Sequence, residues 1–219
     1  MMATGAVSAQ SSKFQGPFLQ FGIGYEVSSP ERDSSTLSIN GRSIPVSSSS
    51  SNTDSFAGVI SAGWYQDVAK GFLIGVGVDY SPFAGSTGTQ TVSTSTAPPG
   101  QSIVTNTYNY QKKNSYNIFI SPAMTVGENG LAYAKVGYTG AKYSTYDSLT
   151  YNFTGYSLGL GYKQVFSDGW YGFIEANYAD YGSQTASTID YVGGLGTLAA
   201  TGTNNMIDYN ILVGLGYKF

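Results

Sequence analysis

A period of two runs through this chain and decides what it can fold into. In FLQFGIGYEV, residues 18–27, Leu19, Phe21, Ile23, Tyr25 and Val27 fall on one face of an extended strand. Gln20, Gly22, Gly24 and Glu26 fall on the other. Successive strand side chains point to opposite faces, whereas an amphipathic helix repeats its apolar residues every 3.6 positions. The same alternation recurs in segments 71–82, 115–124, 131–140, 155–164, 170–180 and 210–219. Segment 55–66 is less regular; Phe56, Ile60, Ala62 and Trp64 make its better apolar face. No segment reads as helix, and the total is eight strands.

The connections alternate in length. QDVAKG, VGENG and FSDG are short and carry Asp, Asn or Gly where a tight turn needs them. Residues 28–54, 84–104 and 182–204 are long and rich in Ser, Thr and Gly, and they read as mobile loops. The connection around KYSTYDSLTYN is intermediate. In an up-and-down barrel this order puts the long loops at one rim, and the short turns and both termini at the other.

Alternation alone does not say which face is wet, and composition enters here. Charged residues are only 11% of the chain, against about 25% in soluble domains, yet mean hydropathy is −0.10. The face opposite the aliphatic one combines Gly with Glu26, Asp79, Lys135, Lys163, Glu175, Asp208 and Lys218. An eight-stranded barrel has a narrow interior that suits such a mixture. Tyr25, Tyr80, Tyr116, Tyr138, Tyr178 and Tyr217 lie near segment ends, where a membrane barrel carries its aromatic girdles. Each segment is close to the length of about 9–11 tilted residues that crosses a bilayer. The expectation is therefore an all-β chain, an eight-stranded antiparallel up-and-down transmembrane β-barrel over residues 15–219. Residues 1–14 form an N-terminal tail. VSAQ within it reads either as the end of an export signal, cut at Ala9–Gln10, or as a plain tail.

FLQFGIGYE, LAYAKVGYTGAKY, FIEANYADYG and the terminal VGLGYKF together resemble the small eight-stranded outer-membrane barrels of Gram-negative bacteria. These include the OmpA-type transmembrane domain and the opacity-type surface proteins. The resemblance is one of pattern and covers nearly the whole chain. It implies a location in the bacterial outer membrane and a porin-like shell. It also implies that Phe219, Tyr217, Leu215 and Val213 are read by the outer-membrane assembly machinery. Larger members append a peptidoglycan-binding domain; ending with the barrel, this sequence predicts no such tether.

Several chemistries are disfavoured. The chain has no His and no Cys, which removes the Ser-His-Asp triad, thiolate metal sites and the commonest metal ligand. No catalytic residues, metal or cofactor are expected, and the reading is not an enzyme. A net charge of −3 argues against nucleic acid as a partner. The Gly-x-Gly elements are followed by no helix, so the phosphate-cradling logic fails. Glu31 and Asp33 fall in a loop and read as solvated charges, and the NFT sequon at Asn152 is discounted for a bacterial surface chain.

The expected role is structural and interactive. A monomeric barrel contacts outer-membrane lipids and lipopolysaccharide, supports membrane integrity, and displays loops centred near Ser48, Ser93 and Thr197 to an unidentified partner. Lys135 and Glu175 each sit about five residues above a short turn, at equal depth at ~3.3 Å per residue, so a lumenal ion pair is expected. It serves either as a static plug or as a gate. Asp79, Lys163, Glu26, Asp208 and Lys218 extend that network. Lys112, Lys113 and Lys142 are placed at the long-loop rim as contacts for lipopolysaccharide phosphates. A small passive or gated channel and a soluble lipocalin-like lipid carrier stay open as alternatives.

Overall fold

The computed structural model describes residues 13–44, 46–82, 85, 87–94, 105–145, 150–192 and 196–219. The Ala9–Gln10 junction lies outside them. Eleven strands make up the described chain. They are β1 (Gly16–Ile39), β2 (Arg42–Ile44), β3 (Val46–Ser50), β4 (Thr53–Ala69), β5 (Phe72–Ser81), β6 (Thr87–Thr94), β7 (Thr105–Val126), β8 (Gly130–Thr145), β9 (Thr150–Val165), β10 (Trp170–Val192) and β11 (Gly196–Lys218). Among the described residues there is no helix.

Eight of these strands form the wall. Antiparallel pairing runs β1–β4–β5–β7–β8–β9–β10–β11 and returns from β11 to β1. The seam is long, from Phe18 opposite Lys218 to Ile39 opposite Leu198. Closure leaves no sheet edge within the ring, which matters in lipid because unpaired backbone groups there find no water. Gly41, Gly71, Gly127 and Gly169 take positive φ where the chain reverses.

The period of two is read out as expected. Leu19, Phe21, Ile23, Val76, Val78, Ile118, Ile120, Leu158, Leu160, Ile174, Ile211, Val213 and Leu215 face outward and exposed. Phe56, Ile60 and Trp64 share that face, which fixes the register of the less regular segment. Tyr25, Tyr80, Tyr116, Tyr138, Tyr156 and Tyr209 ring the long-loop end of the band. Phe72, Trp170, Tyr217 and Phe219 ring the other, with Tyr217 stacked edgewise between Trp170 and Phe219 at 5.2 and 5.0 Å. An apolar band between two aromatic rings is the outer surface of a transmembrane barrel, and no soluble barrel would leave it bare.

Two local features hold the wall together. Pro122 in β7 lies between β5 and β8 and has no N–H to give to β8. The neighbouring Ser121 hydroxyl donates to the Ala134 carbonyl at 2.8 Å and fills the gap. At the seam the strands come too close for side chains. A Cβ on Gly24 would collide with the Ile211 carbonyl, and one on Gly214 with that of Phe21. Gly24→Ala is therefore expected to cost about 1–3 kcal/mol by overpacking. Urea unfolding in lipid vesicles reads this; an unchanged midpoint would show that the seam relaxes freely.

The long connections differ from the expectation of mobile loops. Ser48 lies in β3, Ser93 in β6 and Thr197 in β11. The wall strands continue past the girdle as paired ribbons. β10 and β11 stay paired to Val192 opposite Gly196, and β3 pairs β6, which pairs β7. Ladder hydrogen bonds satisfy the backbone there, and Thr-rich segments suit a strand even without an apolar pattern.

Candidate functional site

The inward face holds the chemistry, in layers stacked along the barrel. Nearest the short turns, Phe18, Tyr65, Tyr133 and Tyr171 point in from β1, β4, β8 and β10. Lys163 of β9 enters among them and is only 2% exposed. Its Nζ lies 4.1 Å from the Phe18 ring centre, 4.9 Å from Tyr171, 5.0 Å from Tyr65 and 5.1 Å from Tyr133. A cation over four ring faces is held by their quadrupoles. Phe14 lies beneath, edge-on to Tyr171 at 6.2 Å, because the chain turns into the mouth ahead of Gly16, which has φ +119°.

Glycine makes room for these rings. A Cβ on Gly75 would stand 2.6 Å from the Tyr65 ring, and one on Gly63 would stand 2.7 Å from Phe18. Gly161 gives way likewise to Tyr133, and Gly216 to Tyr171. The inward glycines are thus seats for aromatic rings on neighbouring strands. Each hydroxyl is committed: Tyr133 donates to Glu175 at 2.7 Å, and Tyr171 to Gln20 at 3.1 Å. Tyr65 lies 2.9 Å from the Ser121 oxygen and donates to it, since Ser121's own proton goes to Ala134.

Above the rings lies the first ionic layer. The Lys135 ammonium sits 3.0 Å from Glu175 and 2.6 Å from Asp79. Asn177 donates to Glu175 at 2.9 Å, and Asn117 to Asp79 at 3.1 Å. Lys135 also stands 4.3 Å over the Phe119 ring. Higher still, Lys112 lies 2.9 Å from Glu26 and 2.7 Å from Asp208, with Tyr143 donating to Asp208. Tyr143, Phe153, Tyr181 and Met206, from the adjacent strands β8 to β11, form an apolar patch over one side of this second cluster. Between the two clusters is a polar cavity of about 60 Å³, lined by both sets of carboxylates and by Asn117, Asn177, Asn210 and Ser157. It has room for a few waters.

Three sequence expectations need correcting. Lys112 is not at the rim: it is 5% exposed and bound between two carboxylates inside the barrel. Strict alternation from Asn117 would turn it outward, but a β-bulge between Lys112 and Asn114 inserts Lys113 and reverses the parity. Lys163 joins no ion pair among the described residues; its surroundings are rings. Lys218 stands half-buried at the short-turn rim beside Gly16, outside both clusters. Lys113 and Lys142 are exposed at the long-loop rim.

Phe18, Tyr65, Tyr133 and Tyr171 form a collar around Lys163 that the sequence expectations do not include, although a signal for it exists. Tyr133 shares the parity of Lys135, Tyr171 that of Glu175, and Phe18 that of Gln20. Parity marks them as lumenal, although they carry neither the charge nor the glycine that otherwise characterises that face.

No family model matches the chain, and no curated protein matches it. Solved structures do. The outer membrane protein OprG from Pseudomonas aeruginosa is similar at 13% identity and TM-score 0.59, covering 95% of this chain and 99% of that one. The outer membrane protease OmpT from Escherichia coli aligns over 97% and 99% at 11% identity, with TM-score 0.48. The attachment invasion locus protein Ail of Yersinia pestis aligns over 94% and 99% at 10% identity, with TM-score 0.44. The likeness to OprG establishes a shared fold, the outer-membrane type of β-barrel, and nothing finer.

Proposed function

We propose that this transmembrane barrel is a structural and surface-interaction protein of the bacterial outer membrane, with a plugged lumen. The observation that carries the reading is the lumen itself. Rings and ion pairs cross it at successive levels between the short-turn mouth and the long-loop girdle, inside a wall whose outer face is apolar. Such a body anchors the ribbons that rise beyond the girdle, and those ribbons carry partner recognition. Lys113 and Lys142, exposed at that rim, are positioned to meet lipid phosphates. The role is binding and support rather than turnover.

A second reading, a small gated channel, draws on the polar cavity between the ionic layers. Reconstitution in lipid vesicles separates the two. The plugged reading expects insertion, protease cleavage confined to the long-loop ribbons, and no steady conductance. Steady conductance of the parent chain would replace it with the channel. Soluble, monomeric behaviour without detergent would overturn the membrane assignment.

The terminal aromatic gives a separate prediction. Phe219 donates its amide to the Pro17 carbonyl at 3.0 Å and packs on Tyr217, but the residue is 66% exposed. Deleting it removes little packing. The expected result is a large loss of inserted protein in cells, with a nearly unchanged unfolding midpoint for barrel refolded in vitro. Equal losses in both would make Phe219 a structural residue and not an assembly tag.

A further inference from the structure

We infer that the seal of the lumen is the aromatic collar closed around Lys163, and that the ion pairs above it are not the seal. This rests on the plugged reading and names where the plug is. Four collar rings come from four strands and the lysine from a fifth, so five of the eight wall strands meet at one level. Leu73 and Leu131, both fully buried, fill the remaining section, and Phe14 covers it from the short-turn side. None of these groups lines the cavity beside the ionic layers.

The chemistry of the two levels also differs. A carboxylate that loses its lysine can take a water or a mobile cation in exchange, and the neighbouring cavity supplies the space. The collar offers no such exchange. Its hydroxyls are turned away to Ser121, Glu175 and Gln20, which leaves ring faces toward the ammonium. A ring of aromatic faces is the chemistry that recognises alkylammonium ions. Lys163 is thus a tethered cation occupying its own cage. Without its side chain, the cage would accept a free alkylammonium ion at the same place.

Planar-bilayer recordings test this with three proteins. The first is the parent chain. The second replaces the lower ionic layer by uncharged groups of similar size: Lys135→Met, Asp79→Asn and Glu175→Gln together. The third is Lys163→Ala. The parent and the triple variant are expected to stay silent. Lys163→Ala is expected to conduct, and tetramethylammonium added on the short-turn side is expected to abolish that current. A folded but silent Lys163→Ala, or a triple variant that conducts as well as it does, overturns the collar as the seal. Conductance by the parent is the distinct result that fails the plugged reading itself.

Should Lys163→Ala not fold, access can be read without it. The chain contains no Cys, so Ser157→Cys places a single thiol in the cavity above the collar. A charged, membrane-impermeant thiol reagent applied from the short-turn side is expected to miss it in both the parent and the triple variant. Labelling in either places the seal elsewhere.

Discussion

In lipid vesicles Lys135→Met is expected to lose about 3–5 kcal/mol of unfolding free energy, among the largest effects of any single substitution in this chain. Its ammonium is shared by Glu175 at 3.0 Å and Asp79 at 2.6 Å. Methionine fills much the same volume but leaves two carboxylates in the lumen without their cation. Glu175 keeps hydrogen bonds from Tyr133 and Asn177, and Asp79 keeps one from Asn117. These are not substitutes for a charge. The loss is the cost of stranding charge and not the worth of the pair. Adding Asp79→Asn and Glu175→Gln should therefore restore most of it, because nothing charged is then left unpaired. Trp64 and Trp170, both outward, report unfolding by fluorescence. A single variant as stable as the parent would mean that water already screens this layer. A triple variant no better than the single one would make Lys135 important for packing and not for charge.

Val213→Arg tests the outer face with a comparable magnitude. Val213 is 50% exposed and lies on β11 midway between Tyr209 and Tyr217, one near each girdle. Arginine on the lipid face costs about 2–4 kcal/mol at the bilayer midplane and about 0–1 near the interface. Val213→Arg should therefore lower the unfolding midpoint in vesicles strongly, and Tyr209→Arg only slightly. In a soluble protein both positions are ordinary exposed sites, where substitutions stay within about 0.5 kcal/mol. Equal, small effects at the two positions would mean that the apolar band does not face lipid. The depth dependence is the informative quantity, since a single loss could arise from packing alone.

These two substitutions probe opposite parities of the same wall, and the distinction was legible in the sequence. Alternation identified strands, their number and the two faces. The glycine and charge content of one face against the aliphatic content of the other decided which was lumenal. Equal counts from two short turns brought Lys135 and Glu175 to one level, and they lie in contact there. All of this is local or nearly so: parity is a property of one strand, and depth follows from rise per residue.

What the sequence did not contain is how the strands lie across from one another. Which side chains meet through a lumen depends on stagger, tilt and curvature, and these are fixed only when the ring closes. Lys163 has the parity and the charge of a network member, yet closure places it among the rings of Phe18, Tyr65, Tyr133 and Tyr171, and among the described residues it joins no ion pair. Lys112 shows the limit of parity itself. One inserted residue at Lys113 turns it inward, and nothing in the run QKKN marks where the bulge falls. The ribbons beyond the girdle form for a related reason. With no apolar face to show a period, their pairing is set by the wall strands they continue and by the need to satisfy backbone groups. The sequence by itself determined a barrel, its outward face and the composition of its interior. The tertiary structure decided which of those interior groups close it, because contact across a barrel is a property of the ring and not of any strand within it.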